Sequence, residues 1–152
     1  MNTALHTLLA HAERQRDKAL ASLLRADEAA QHMCAQTQQL LAYRDEYHQR
    51  SPTHGGRVAS IELLRCHQSF MHRLELALTQ QHSHQQAAER AAIRLRQALV
   101  AQELRVASVR KLLERRVQEQ QQAETRLDQR RSDEAAQQRL WRNAAEAVSA
   151  GY

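Results

Sequence analysis

Apolar side chains recur along this chain at helical spacing. In the first third, alternating steps of four and three pick out Leu5, Leu9, Ala12, Arg16, Ala19, Leu23, Ala26, Ala30, Met33, Thr37, Leu40, Arg44 and Tyr47, and ten of these thirteen are apolar or Tyr. Such a stripe predicts an amphipathic helix with one face kept from water. Farther on, a strict seven-residue ladder runs through Leu64, Met71, Leu78, Gln85, Ala92, Leu99, Val106, Leu113, Gln120, Leu127, Glu134, Trp141 and Val148, with ten of thirteen apolar. Its companion ladder is weaker, mixing Leu74, Ala88, Leu95, Val109 and Ala123 with Gln81, Gln102, Arg116 and Arg130. A repeat of seven kept in phase over many turns predicts continuous helix and left-handed supercoiling.

The pattern breaks once, at Ser51-Pro52-Thr53-His54-Gly55-Gly56. Proline pushes the residue before it out of the helical region. Ser60, followed by Ile61, Glu62 and Leu63, has the form of an N-cap and helix start. Thr3 is the expected cap of the first helix. The polar, His-rich stretch Gln80 to Gln86 is a candidate for local loosening, but its phase still predicts helix. The expected fold is all-α: a single coiled-coil domain over 1–152, with a helix from about 3 to 50, a loop about 51–59 and a helix about 60–146. At ~1.5 Å per residue the helices are roughly 70 Å and 130 Å long.

A short connection between two amphipathic helices makes a long antiparallel two-helix coiled-coil hairpin, here with the second helix longer than the first. If the turn centres near residue 55, the numbers of facing residues total about 110. Tyr43 is then expected near His67, Tyr47 near Leu63 and Phe70 near Leu40. The N-terminus falls near residue 105, and the last forty or so residues overhang. A lone helix with an apolar ladder is under-buried and calls for a partner or a kinked return.

Composition sharpens this picture. Three glycines and one proline exclude a sheet-rich fold, a Rossmann-like unit and a glycine-built phosphate loop. One Phe, one Trp and three Tyr argue against a compact core, because large apolar side chains dominate core energetics. Three of these five aromatics, Tyr43, Tyr47 and Phe70, gather beside the turn. They either plug the wide end of the seam or form a protein-docking patch.

The net charge is +5, carried almost entirely by arginine. The excess concentrates between Arg90 and Arg116, where Arg90, Arg94, Arg96, Arg105, Arg110, Lys111, Arg115 and Arg116 stand against Glu103 and Glu114. A solvated coiled-coil face and a docking surface for an acidic partner both fit that run. No aromatic is interleaved for base stacking, so nucleic acid could bind there by charge alone.

Little catalytic chemistry is visible. The nine histidines include no HExxH, no paired CxxC accompanies them, and His67 and His72 do not share a helical face. In the expected register Cys34 and Cys66 lie roughly 15 Å apart along the axis, beyond disulfide reach. Asp45 with Glu46, and Asp133 with Glu134, are sequence neighbours that point about 100° apart. No catalytic residue, metal site or cofactor is therefore assigned. No run approaches the ~20 apolar residues of a membrane span, and no signal peptide is visible, so a cytosolic protein is expected.

Three blocks resemble the flagellar export protein FliJ family. Leu40-Leu41-Ala42-Tyr43-Arg44-Asp45-Glu46-Tyr47 fits its Leu-x-x-Tyr-x-x-x-Tyr pattern. After a Gly-containing break, Gln68-Ser69-Phe70-Met71-His72-Arg73-Leu74 fits Gln-x-Phe-x-x-x-Leu. Asp128-Gln129-Arg130-Arg131-Ser132-Asp133-Glu134 is similar to the family's Asp-Gln-(Lys/Arg)-x-x-Asp-Glu segment. One departure is Gln81, where the family pattern has His, with His82 one residue later.

The resemblance implies a non-catalytic part of the flagellar type III export apparatus, shaped like a rotary-ATPase central stalk. Its implied partners are the hexameric export ATPase, the cytoplasmic domain of the export gate protein and export chaperones, with no nucleic acid and no direct membrane span. It implies a cytoplasmic protein peripherally associated with the inner-membrane export apparatus. Gln36, Leu40, Tyr43, Tyr47, Phe70, Leu74 and Ala77 correspond to the gate-binding patch. Asp128, Gln129, Arg131, Asp133 and Glu134 are the implied ATPase-facing residues. The alternatives are the equivalent stalk of a virulence type III secretion system and a basic coiled-coil nucleic-acid or scaffold protein.

Overall fold

The structure, a computed structural model, describes residues 2–52 and 60–151. It is a two-helix hairpin. Helix α1 spans Asn2–Gln49 and α2 spans Ile61–Ser149. Both match the expected spans to within three residues, and α2 runs unbroken through Gln80 to Gln86. Thr53, His54, Gly55 and Gly56 of the expected loop lie outside the described residues.

Local chemistry accounts for the helix ends. The Leu63 backbone N–H donates to the Ser60 hydroxyl at 3.2 Å, and the Leu64 N–H donates to the Ser60 carbonyl at 3.1 Å. Ser60 is thus the N-cap of α2, a role that contributes about 1 kcal/mol, and Glu62 in the first turn favours the positive end of the helix dipole. At the end of α1 the Arg50 N–H reaches the Glu46 carbonyl at 3.1 Å before Ser51 and Pro52 turn the chain away. Thr3 is not a cap. It lies inside the first turn of α1, and its carbonyl accepts the Thr7 hydroxyl at 2.9 Å.

The described residues fall into two compact units. One comprises Ala12–Leu104. In it the two helices run antiparallel: Tyr47 contacts Phe70, Gln36 contacts Gln81 and Asp27 pairs with Arg96, so numbers fall along α1 as they rise along α2. Ala12, Leu23, Leu74, Leu78 and Ala92 are its buried apolar residues. The core is a seam one or two side chains wide. Thr37 is buried in it too, with its hydroxyl donating to the Met33 carbonyl at 2.9 Å. The same carbonyl accepts the Gln81 side-chain amide at 3.2 Å.

The other unit comprises Met1–His11 with Arg105–Tyr152. Val106, Val109 and Leu113 are buried there, and the Asn2 amide donates to the Gln120 side-chain carbonyl at 3.2 Å. Beyond Leu113 every residue from 114 to 151 is exposed.

The hydrophobic pattern is realised almost position by position. All thirteen ladder positions of α1 are buried or half-buried. On α2 the positions from Leu64 to Leu113 are likewise protected, while Gln120, Leu127, Glu134, Trp141 and Val148 are exposed.

The register differs from expectation. Tyr47 packs on Phe70 and is level with it rather than with Leu63, a shift of one heptad. A slip of seven leaves apolar faces matched, so the ladder alone does not choose between the two. Asn2 sits beside Gln120 rather than near residue 105. The stretch of α2 past the start of α1 is therefore about thirty residues, shorter than the forty expected.

Burial predicts unequal stability effects. Leu74→Ala, in the seam at 8% exposure, should lower stability by about 2 kcal/mol. Trp141→Ala, at 79% exposure, should change it by less than about 0.5 kcal/mol. Thermal and urea unfolding followed by circular dichroism checks both.

Candidate functional site

The residues implied for partner binding near the turn fall on two helical stripes of equal spacing. On α1 they are Gln36, Leu40, Tyr43 and Tyr47, and on α2 they are Phe70, Leu74 and Ala77, with Gln81, the departure from the family pattern, four residues farther on. Steps of four, three and four keep each set on one side of its helix. The structure sets the stripes against each other. At one end the Gln81 side-chain amide donates to the Gln36 side-chain carbonyl at 3.2 Å and lies 3.6 Å from the Met33 sulfur. At the other, the Tyr47 and Phe70 rings pack with centroids 4.5 Å apart and planes at 49°. The numbers 36 and 81 total 117, as do 47 and 70. Leu40 with Ala77 and Tyr43 with Leu74 share that total and so lie level with one another.

The members differ in availability. Tyr43 is 55% exposed and Phe70 41%. Gln36, Leu40, Tyr47 and Ala77 are half-buried. Leu74 is buried in the seam, so it supports the patch from below and presents little surface to a partner. Gln81, the departure from the family pattern, closes the row opposite Gln36.

Sequence reasoning missed the groove beside this row. Tyr47, Arg50, Pro52, Leu63, Cys66, His67 and Phe70 line a space of about 350 Å³. Leu63 is 54% exposed at its edge. The Arg50 guanidinium is held by the Glu46 carboxylate at 2.7 Å, one helical turn back. The signal for the groove was present in the 4,3 spacing, but a register one heptad off separated Tyr47 from Phe70. Cys66 is exposed and Cys34 half-buried, and both are free thiols.

The second implied set lies where α2 has no facing helix. Asp128, Gln129, Arg131, Asp133 and Glu134 are all exposed. Arg131 reaches Asp128 at 3.9 Å, and the Gln129 amide donates to Asp133 at 3.4 Å. At ~100° per residue the five spread around the whole helix circumference. Leu127, Leu140, Trp141 and Val148 are exposed on the same stretch. Among the described residues no group of three His, Cys, Asp or Glu side chains could hold a metal ion, and no helix is long and apolar enough to cross a membrane.

Against known families, the model described as "Flagellar FliJ protein" matches residues 1–145. The chain belongs to the FliJ family. It is accordingly a component of the flagellar export apparatus. Comparison with curated proteins and with solved structures finds no match. The family match spans both helices, the aromatic end and the Asp128 to Glu134 block, so FliJ membership rests on the whole hairpin.

The Tyr47–Phe70 contact separates two tyrosines that look alike in sequence. Tyr47→Ala removes a ring pair and should cost about 1 kcal/mol of stability. Tyr43→Ala, on the exposed side, should leave the unfolding midpoint within error. Urea titrations of the two variants side by side give the comparison.

Proposed function

We propose that this FliJ-family chain works as a stalk-like connector: its aromatic end binds the cytoplasmic domain of the export gate protein, and its lone α2 segment enters the export ATPase ring. The observation that carries the reading is the row at the turn end. Tyr43 and Phe70 stand exposed there beside Leu63 and the half-buried Tyr47, on two helices that brace one another. Rigid aromatic anchors over a packed base lose little entropy on docking, which is why such residues dominate binding energy.

The ATPase assignment draws on a different feature. Asp128, Gln129, Arg131, Asp133 and Glu134 ring a helix that is exposed on every side. A flat partner could touch only part of that circumference. A partner that encloses the helix could read all five, and a hexameric ring encloses. Its interior would also cover Leu127, Leu140 and Trp141. Export chaperones are further partners in this reading, and the protein acts in the cytoplasm, peripherally associated with the inner-membrane export apparatus.

Tyr43→Ala tests the gate contact more cleanly than any change at Tyr47, because Tyr43 is not part of the ring pair. Gate-domain affinity measured by calorimetry should fall at least about tenfold while helix content and unfolding midpoint stay unchanged. Full affinity in this variant would remove the turn end from the gate contact. In parallel, deletion of residues 121–152 should abolish capture of the export ATPase and leave gate-domain affinity intact.

A further inference from the structure

A third surface lies on α2 where it packs beside the start of α1, and it uses neither the aromatic row nor the segment beyond Gln120. Between Arg105 and Gln118 the helix carries Arg105, Arg110, Lys111, Arg115 and Arg116 against a single acid, Glu114. The part of α1 in the same unit, from Asn2 to His11, contributes no acidic residue. The segment from Glu119 to Gly151, in contrast, carries five cations and six acids. The positive charge is therefore local.

Helical geometry sorts these residues by face. Val106, Val109 and Leu113 are buried toward α1. At ~100° per residue, Ser108, Lys111 and Arg115 fall on the opposite side, with Arg105, Leu112 and Arg116 along one flank. All six are exposed. Arg105, Lys111, Arg115 and Arg116 form no ion pair among the described residues. Leu112, 47% exposed, stands among these cations, and with Ser108, Lys111, Glu114, Arg115 and Gln118 it borders one surface depression, in which Glu114 is the single acid.

We propose that this face docks an acidic amphipathic helix of a partner protein, with its carboxylates on Arg105, Lys111, Arg115 and Arg116 and an apolar side chain on Leu112. Four cations that form no ion pair outweigh the one acid, Glu114, so the local potential is positive, favours an acidic helix and steers its approach. Spacings of three and four place Ser108, Lys111, Leu112 and Arg115 where a second helix packs ridge into groove. Leu112 supplies the contact that a polyanion would not need. A nucleic acid would use the charge alone, because no aromatic lies on this face for base stacking.

The test uses the full chain and a labelled synthetic helix of Leu–Glu heptads, about three heptads long. Fluorescence anisotropy at low salt should show binding that weakens at least about tenfold in K111E/R115E and in L112N. The charge reversal R139E/R142E, in the charge-balanced segment, should leave binding unchanged. A matched Ala–Glu peptide should bind at least about tenfold more weakly than the Leu–Glu peptide. Circular dichroism establishes that the variants remain helical, and K111Q/R115Q serves if the reversal unfolds the chain. Three results would overturn the proposal: no peptide binding at low salt, equal loss in R139E/R142E, or a DNA duplex bound as tightly as the Leu–Glu peptide with L112N without effect.

Discussion

Everything in this molecule depends on a seam between two helices. Neither α1 nor α2 has a second layer to pack on, so the apolar stripe of each can be covered only by the other. The cover is thin. Its buried residues are a few leucines, valines and alanines with Thr37, in places as much as fourteen residues apart along a helix, and the aromatics that would thicken a globular core are almost missing. A seam of this kind tolerates sliding by whole heptads, because each seven-residue step brings apolar positions opposite apolar positions again. Residues that are not interchangeable must choose the register. Tyr47 on Phe70 does so by ring packing, Gln81 on Gln36 and Met33 by hydrogen bonding, and Arg96 on Asp27 by charge. These part-buried and exposed polar contacts add little net stability, but they form in one alignment only.

That register determines which surfaces are presented. It aligns Gln36, Leu40, Tyr43 and Tyr47 with Gln81, Ala77, Leu74 and Phe70, so two stripes from distant parts of the chain become one row. In the other unit Asn2 lies beside Gln120, and the following residues of α2 have no helix to face. The ladder does not stop there. Leu127, Trp141 and Val148 continue it into solvent.

Much of this was legible in the chain itself. Every position of the 4,3 ladder of α1 from Leu5 to Tyr47 is protected, and Ser60 announced the start of α2 through a cap that forms as expected. These features are local, set by side-chain period and by backbone donors within a turn. Register is not local. Pro52 and the two glycines suggested a turn centred near residue 55, and from that single assumption Tyr47 was placed a heptad away from Phe70. The same error hid the groove lined by Leu63, Cys66 and His67, whereas Leu74, which the companion ladder had placed in the seam, is buried there. The Asp128 to Glu134 block was visible only through family resemblance, since nothing in its spacing selects a face.

The register is also the claim most open to direct measurement. With Cys34 and Cys66 replaced by serine, spin labels can be placed in pairs on cysteines introduced at exposed positions, His48 with Ser69 in one protein and His48 with Glu62 in another, and their separations read by pulsed electron resonance. A one-heptad slip displaces the helices by about 10 Å along the axis. The structure predicts the shorter distance for His48 with Ser69. A shorter distance for His48 with Glu62 would mean that Tyr47 faces Leu63 after all, and the aligned row at the turn end would not exist.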